Sequence, residues 1–159
     1  MASSTYLIAI GSNRRGRHGA PGDEVRAAVE ALGGLVTTSA IIETPPIGPS
    51  IRRFANAACV IESHEVPPKL LARLKTIERD FGRRAGQRWG SRVVDLDLIL
   101  WSGGRWASSG LIVPHPGFRT RDFVLAPAAT IAPDWRDPVT NLTLRQLRSR
   151  LTRRVPPPR

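Results

Sequence analysis

Asp95 and Asp97 stand at positions i and i+2 of Val93-Val94-Asp95-Leu96-Asp97-Leu98-Ile99-Leu100-Trp101, the most apolar strand-like stretch of the chain. On a strand this spacing puts both carboxylates on one face with Cα atoms roughly 6.5 to 7 Å apart, close enough to share a divalent cation or flank two. Arg83, Arg84, Arg88 and Arg92 lie just before them. Mg²⁺ takes one or two carboxylates together with water and phosphate oxygens, and guanidinium groups neutralise the phosphate oxygens that the metal leaves. Acids and arginines together therefore describe phosphoryl transfer. Taken apart, an Asp-x-Asp pair is as readily the wet side of an edge strand, and an arginine-rich loop a solvated surface. The chain has no G-x-x-x-x-G-K-[ST] loop, so a nucleotide would be held by side chains and metal.

Other residues could complete such a site. Trp89 could stack on a base or cover the sheet edge. His115, between Pro114 and Pro116, could donate to a phosphate, although lone loop histidines are commonly just exposed. Phe54 and Asn56 share a strand face and, with Phe123, could form an aromatic slot with an amide for a flat heterocycle; packing is the default for each alone. Cys59 reads as core, and His18 and His64 carry no role.

These residues need elements to hold them. Residues 4–10 read as a strand ending at Gly11-Ser12-Asn13, and Asp23 can cap a helix carrying Val25, Ala28, Val29 and Leu32 on one side up to Gly33-Gly34. A strand from Leu35 to Glu43 leads into the irregular Thr44–Pro49 segment, and alternation resumes over Phe54–Glu62. Pro67 and Pro68 open a helix with Leu70, Leu71, Leu74, Ile77 and Phe81 inward, ending at Gly82. The next strand places Val94, Leu96, Leu98 and Leu100 opposite the aspartates. Residues 105–118 suggest a weak hairpin partner and a loop, then a short helix from Thr120 or Asp122 that must stop near Pro127. Thr143 and Gln146 form a capping box for a last helix with Leu144, Leu147 and Leu151 on one side, before a frayed Val155–Arg159. The order strand, helix, strand, strand, helix, strand predicts an α+β, ferredoxin-like fold: a largely antiparallel sheet with helices packed on one face, and a C-terminal extension.

At 159 residues the chain reads as one domain over 1–151, followed by a basic, proline-rich tail, 152–159. One cysteine excludes a disulfide framework and any multi-thiolate metal site. No basic segment precedes the short N-terminal apolar run and no apolar run is long enough to span a membrane, which predicts a cytoplasmic protein; a monomer is the expected state. The net charge of +11 is concentrated: the last fifteen residues carry +6 and no acid. An RNA-binding module is the rival reading, because ferredoxin-like sheets also present nucleic-acid surfaces; no RNA-recognition strand motif is present, and at 6% aromatics a stacking platform would be poor. A metal nuclease built on Asp95 and Asp97 would lack a third acid or histidine nearby in sequence.

The chain resembles the 6-hydroxymethyl-7,8-dihydropterin pyrophosphokinases of folate biosynthesis. The likeness runs from about residue 5 to 135, through Gly11-Ser12-Asn13, Glu43-Thr44-Pro45-Pro46-Ile47-Gly48-Pro49, Phe54-x-Asn56, Gly82-Arg83-Arg84, Val113-Pro114-His115-Pro116 and above all RWGSRVVDLDLIL. It implies a kinase that transfers pyrophosphate from ATP to the pterin hydroxymethyl group and releases AMP, using two Mg²⁺ ions held by Asp95 and Asp97. Arg83 and Arg92 match the family's catalytic arginines. Glu78, Arg84, Arg88, Trp89, Leu98, His115 and Arg121 match positions that hold the nucleotide. Phe54 and Phe123 would sandwich the pterin, with Asn56 and Thr44, Pro45, Pro46 and Ile47 shaping its edge. The implied partners are these two small molecules, with no membrane and no specific nucleic acid. Ala85 falls where a second arginine is frequent, which makes Arg84 its candidate substitute. The Arg14–Gly22 loop and the C-terminal tail match nothing of known role.

Overall fold

Tyr6, Ile8 and Ile10 point to one side of the first strand and Leu7 and Ala9 to the other, and this alternation separates two apolar layers. A computed structural model describes residues 2–44, 53–82 and 92–153. Along it run β1 (Ser4–Ser12), α1 (Pro21–Leu32), β2 (Leu35–Thr38), β3 (Ile42–Thr44), β4 (Phe54–Ser63), α2 (Pro67–Gly82), β5 (Asp95–Trp101), β6 (Trp106–Ser108), β7 (Leu111–Val113), a 3₁₀ turn (Phe118–Thr120), α3 (Asp122–Ile131) and α4 (Leu144–Thr152). The main sheet runs β2-β4-β1-β5 with β3 also on β4, and every pairing is antiparallel. This bears out the α+β expectation. β1 is central because it is apolar on both faces, as a strand covered on both sides must be.

Helices α1 and α2 cover the first face, α1 lying over β1 and β4 and α2 along β5, with Val25, Ala28, Leu32, Leu70, Leu74 and Phe81 in one apolar cluster with the sheet. The C-terminal elements do not extend that layer. Phe118, Val124, Leu125, Ala128, Leu144 and Leu147 instead bury Leu7, Ala9, Ala58 and Val60 on the second face. Helices thus sit on both faces, not one, because the odd positions of β1 are as apolar as the even ones.

Local differences from the sequence reading have identifiable causes. The Leu35–Glu43 strand is split: Ser39 replaces one rung of the ladder with its side chain, Oγ accepting from the Ala58 N–H at 2.9 Å while its own N–H donates to the Ala58 carbonyl at 2.8 Å. Leu100 does not share a face with Leu96 and Leu98. A register shift opposite Leu7 and Ile8 leaves Ile99 without a partner, so Ile99 and Leu100 both join the second layer. Helix α3 passes through Pro127 to Ile131; Pro127 lacks only the N–H that would reach back to Phe123, and its ring is buried. Asp23 lies inside α1, where its carboxylate accepts the Ala20 N–H at 3.1 Å instead of occupying the cap position itself. Leu151 is exposed, whereas Leu144 and Leu147 pack inward. The capping box of α4 forms as expected, with Gln146 N–H to Thr143 Oγ1 at 3.2 Å and Thr143 N–H to Gln146 Oε1 at 3.0 Å. Among the described residues no helix is long and apolar enough to cross a membrane.

Candidate active site

Strand register assembles the site. Gly11 of β1 lies opposite both Asn56 of β4 and Asp95 of β5, and Ala9 lies opposite both Ala58 and Asp97. Small residues in the middle strand therefore leave a trough between an amide on one side and two carboxylates on the other. Gly11 keeps the floor open: a Cβ on it would sit 2.9 Å from Asn56 Oδ1 and push that amide aside. The trough becomes a cleft of about 650 Å³, closed by Thr44 and Phe54 on one flank and by Arg121, Phe123 and Val124 on the other. Phe54 and Phe123 are 43% and 53% exposed, too much for core aromatics, and both border this cleft. The Arg121 guanidinium stands 5.9 Å from the Phe123 ring centroid.

A second cleft, about 380 Å³, opens on the other side of β5. Lys75 and Glu78 of α2, Arg92, Leu96 and Leu98, Ser108 and Ile112 of the β6–β7 hairpin, and His115 are among its lining residues. Asp97 lines both clefts. Glu78 braces the partition from below. Its buried carboxylate accepts the Leu96 N–H at 3.0 Å and faces Arg92 Nη1 at 3.4 Å, and Arg92 Nη1 also lies 3.7 Å from Asp95 Oδ1.

The electrostatics follow from this crowding. Burial pushes the Asp95 carboxyl up; Arg92 opposes the rise, Asp97 adds to it and Lys75 opposes it. The repulsion that Asp97 adds at Asp95 is relieved by a cation between them. Burial pushes the His115 imidazole down, against Asp97 and together with Arg121. Its Nδ1 accepts the Gly117 N–H at 3.1 Å, so in the neutral ring the proton is on Nε2, which can donate. Among the described residues no group of three or more His, Cys, Asp or Glu could hold a metal. The donor set is two carboxylates, which suits a hard cation that keeps water and takes oxygens from a polyanion, and does not suit a site built wholly from protein ligands.

Of the residues singled out from sequence, Asp95, Asp97, Thr44, Phe54, Asn56, Arg121 and Phe123 come together in the first cleft, and Glu78, Arg92, Leu98 and His115 in the second. Arg121, matched to nucleotide-holding positions, lies on the aromatic cleft beside Phe123. Pro45, Pro46, Ile47, Arg83, Arg84, Arg88 and Trp89 lie outside the described residues. Sequence reasoning missed Lys75 and the floor residues Ala9 and Gly11. The signal for the floor was small side chains at i and i+2 of the first strand, which mean nothing until the neighbouring strands are known.

The sequence model of 7,8-dihydro-6-hydroxymethylpterin-pyrophosphokinase (HPPK) matches residues 7–133. Curated 2-amino-4-hydroxy-6-hydroxymethyldihydropteridine pyrophosphokinases are among the relatives. The Haemophilus influenzae protein is 36% identical over 136 residues, covering 82% of each chain, and the Pseudomonas aeruginosa protein is 35% identical over 137 residues, again covering 82% of each. That of a Synechocystis strain is 41% identical over 100 residues, or 63% of this chain and 51% of its own, so the match spans about half of that relative. With a family match over most of its length and a two-cleft site in the region matched, the chain belongs to the 7,8-dihydro-6-hydroxymethylpterin-pyrophosphokinase family of enzymes.

Proposed function

We propose that the chain catalyses Mg²⁺-dependent transfer of pyrophosphate from ATP to 6-hydroxymethyl-7,8-dihydropterin, releasing AMP. The observation that carries this reading is that an aromatic cleft and a cationic cleft meet at Asp97. The pterin occupies the first cleft, between the Phe54 and Phe123 rings, with Asn56 offering both an acceptor and donors to its edge. Thr44, followed by Pro45, Pro46 and Ile47, borders the same cleft and limits its length. The triphosphate lies across the partition with the adenosine portion in the second cleft, where Leu98 supplies an apolar wall and His115 Nε2–H a donor.

Asp95 and Asp97 would hold two Mg²⁺ ions, which when bound supply charge neutralisation for the triphosphate and acidify the attacking alcohol. Arg92 braces the phosphate oxygens on the same side, restrained by Glu78, so that charge is stabilised without rearrangement at the moment of transfer. Arg83 joins Arg92 in this task; Arg84, Arg88 and Trp89 complete the nucleotide's surroundings. Arg121, between the aromatic cleft and His115, balances charge where the pterin hydroxymethyl oxygen approaches the β-phosphorus. That oxygen forms the new bond, and the bond to the α-phosphate oxygen of departing AMP breaks.

The test is a turnover assay with ATP, Mg²⁺ and the hydroxymethyl dihydropterin. AMP should appear in step with pyrophosphorylated pterin, and Asp97→Ala should abolish both with the fold intact. Release of ADP, or no turnover by the wild-type chain, would refute the reading.

A further inference from the structure

The Arg14–Gly22 loop, which matches nothing of known role, is tied through His18 to a fully buried carboxylate. Glu24, in the first turns of α1, is 0% exposed, and its Oε1 accepts the His18 N–H at 2.7 Å while Oε2 lies 2.8 Å from His18 Nδ1. Gly16 and Gly19 close the turn that presents His18, with Gly16 N–H to the Gly19 carbonyl at 3.0 Å and Gly19 N–H to the Gly16 carbonyl at 3.2 Å. From there the His18 ring packs on Phe81, centroids 4.7 Å apart, and Arg17 lies 5.9 Å from the same ring. The turn also presses on Val93: a Cβ at Gly16 would sit 2.7 Å from Val93 Cγ1 and 2.5 Å from Glu24 Oε1. Phe81 belongs to the last turn of α2, one turn beyond Glu78. Val93 follows Arg92 and leads into β5.

We propose that the His18–Glu24 pair is a positioning device: it holds the Gly16–Gly19 turn against Phe81 and Val93, and so fixes the end of α2 relative to the entry of β5. That junction is the one Glu78 crosses to reach Arg92 and the Leu96 N–H. Spacing across it decides where Arg92 stands relative to Asp95 and Asp97. A buried carboxylate is retained here because two donors satisfy it, and its geometry is rigid for the same reason. Neither His18 nor Glu24 lines either cleft, so each acts through its neighbours. The kinetic consequence rests on the pyrophosphokinase reading; the mechanical one does not.

Two measurements test this. In the substrate-free protein, amide exchange at Leu96 should quicken about tenfold in His18→Ala while amides of α3 and α4 stay unchanged, because only a local opening is released. In steady state the same variant should lose about ten- to a hundredfold in kcat, with KM for both substrates within about twofold of wild type. Glu24→Gln, with His18 in place, should keep near-normal values in both, since the amide oxygen can accept from the His18 N–H while its NH₂ donates to Nδ1 of the alternative tautomer. His18→Phe, which keeps the stack on Phe81 but loses the Nδ1 contact, should fall between and serves if the alanine variant does not fold. Exchange that is unchanged at Leu96, or that rises uniformly in all elements, would overturn the proposal, as would a full kcat loss in Glu24→Gln. A wild-type chain without turnover would sink the pyrophosphokinase reading, and the exchange measurement would then decide the positioning role by itself.

Discussion

Replacing Asp137 by Asn should destabilise the chain in a way that vanishes in acid. Asp137 is 0% exposed, and Arg119 grips it with Nε at 2.6 Å and Nη2 at 2.9 Å. The Thr140 hydroxyl at 2.7 Å and the Val139 N–H at 3.0 Å complete the set. Burial pushes this carboxyl up, but those bonds and the Arg119 charge overcome it and hold it down to about 2, against an ordinary 3.8. At 1.36 kcal/mol per pH unit the difference is worth on the order of 2 kcal/mol. A carboxyl depressed by folding contributes fully above its unfolded value and stops contributing as pH falls through its folded one, so the contribution is complete above about pH 5 and most of it is lost by about pH 2. Urea unfolding followed by circular dichroism, for wild type and Asp137→Asn at pH values from 6 down to 2, reads the difference directly, free of other titrating groups common to both. The gap at pH 6 should be on the order of 2 kcal/mol, or about 4–8 °C in Tm for a chain of this size, and should shrink toward pH 2. A gap independent of pH, or no gap at pH 6, would show that the pair is not the source of the stability assigned to it.

Further outcomes follow from the site. Arg92→Ala should lower kcat far more than it weakens pterin binding, measured by equilibrium titration, because Arg92 lines the second cleft and not the aromatic one; equal losses in both would mean that it only holds ground states. Gly11→Ala should raise the pterin KM several-fold (on the order of 1 kcal/mol) with little change in Tm, since the new Cβ must displace Asn56 Oδ1; an unchanged KM would remove Asn56 from the pterin edge. Cys59, buried and with its thiol pushed up to about 12, should resist aromatic disulfide reagents at neutral pH until urea unfolds the chain. Rapid labelling of the native protein would contradict its burial.

Much of the site could be read before any coordinates because its chemistry is concentrated in local pattern. Asp95 and Asp97 announce themselves by period-two spacing, and the bounds of α2 by proline at one end and glycine at the other. What escaped depended on pairing. Nothing about Leu100 reveals that Ile99 bulges, because the shift exists only against β1. Glu78 enters from the sequence only through the resemblance, as a nucleotide-holding position; its link to the Leu96 N–H, 18 residues away, appears only when α2 lies along β5. Pro127 misled in the other direction, since one missing hydrogen bond is outweighed when the helix around it buries Val124, Leu125 and Ala128. Gly11 read as a turn glycine, and became the floor of the site once register set it opposite both Asn56 and Asp95.

Among the described residues β5 is the edge strand of the main sheet, paired through β1. A hollow lies on either side of that one strand, and Asp97 is the residue common to both. A change in the twist of the strand would shift both walls together, so a substitution that reshapes one hollow would be felt in the other.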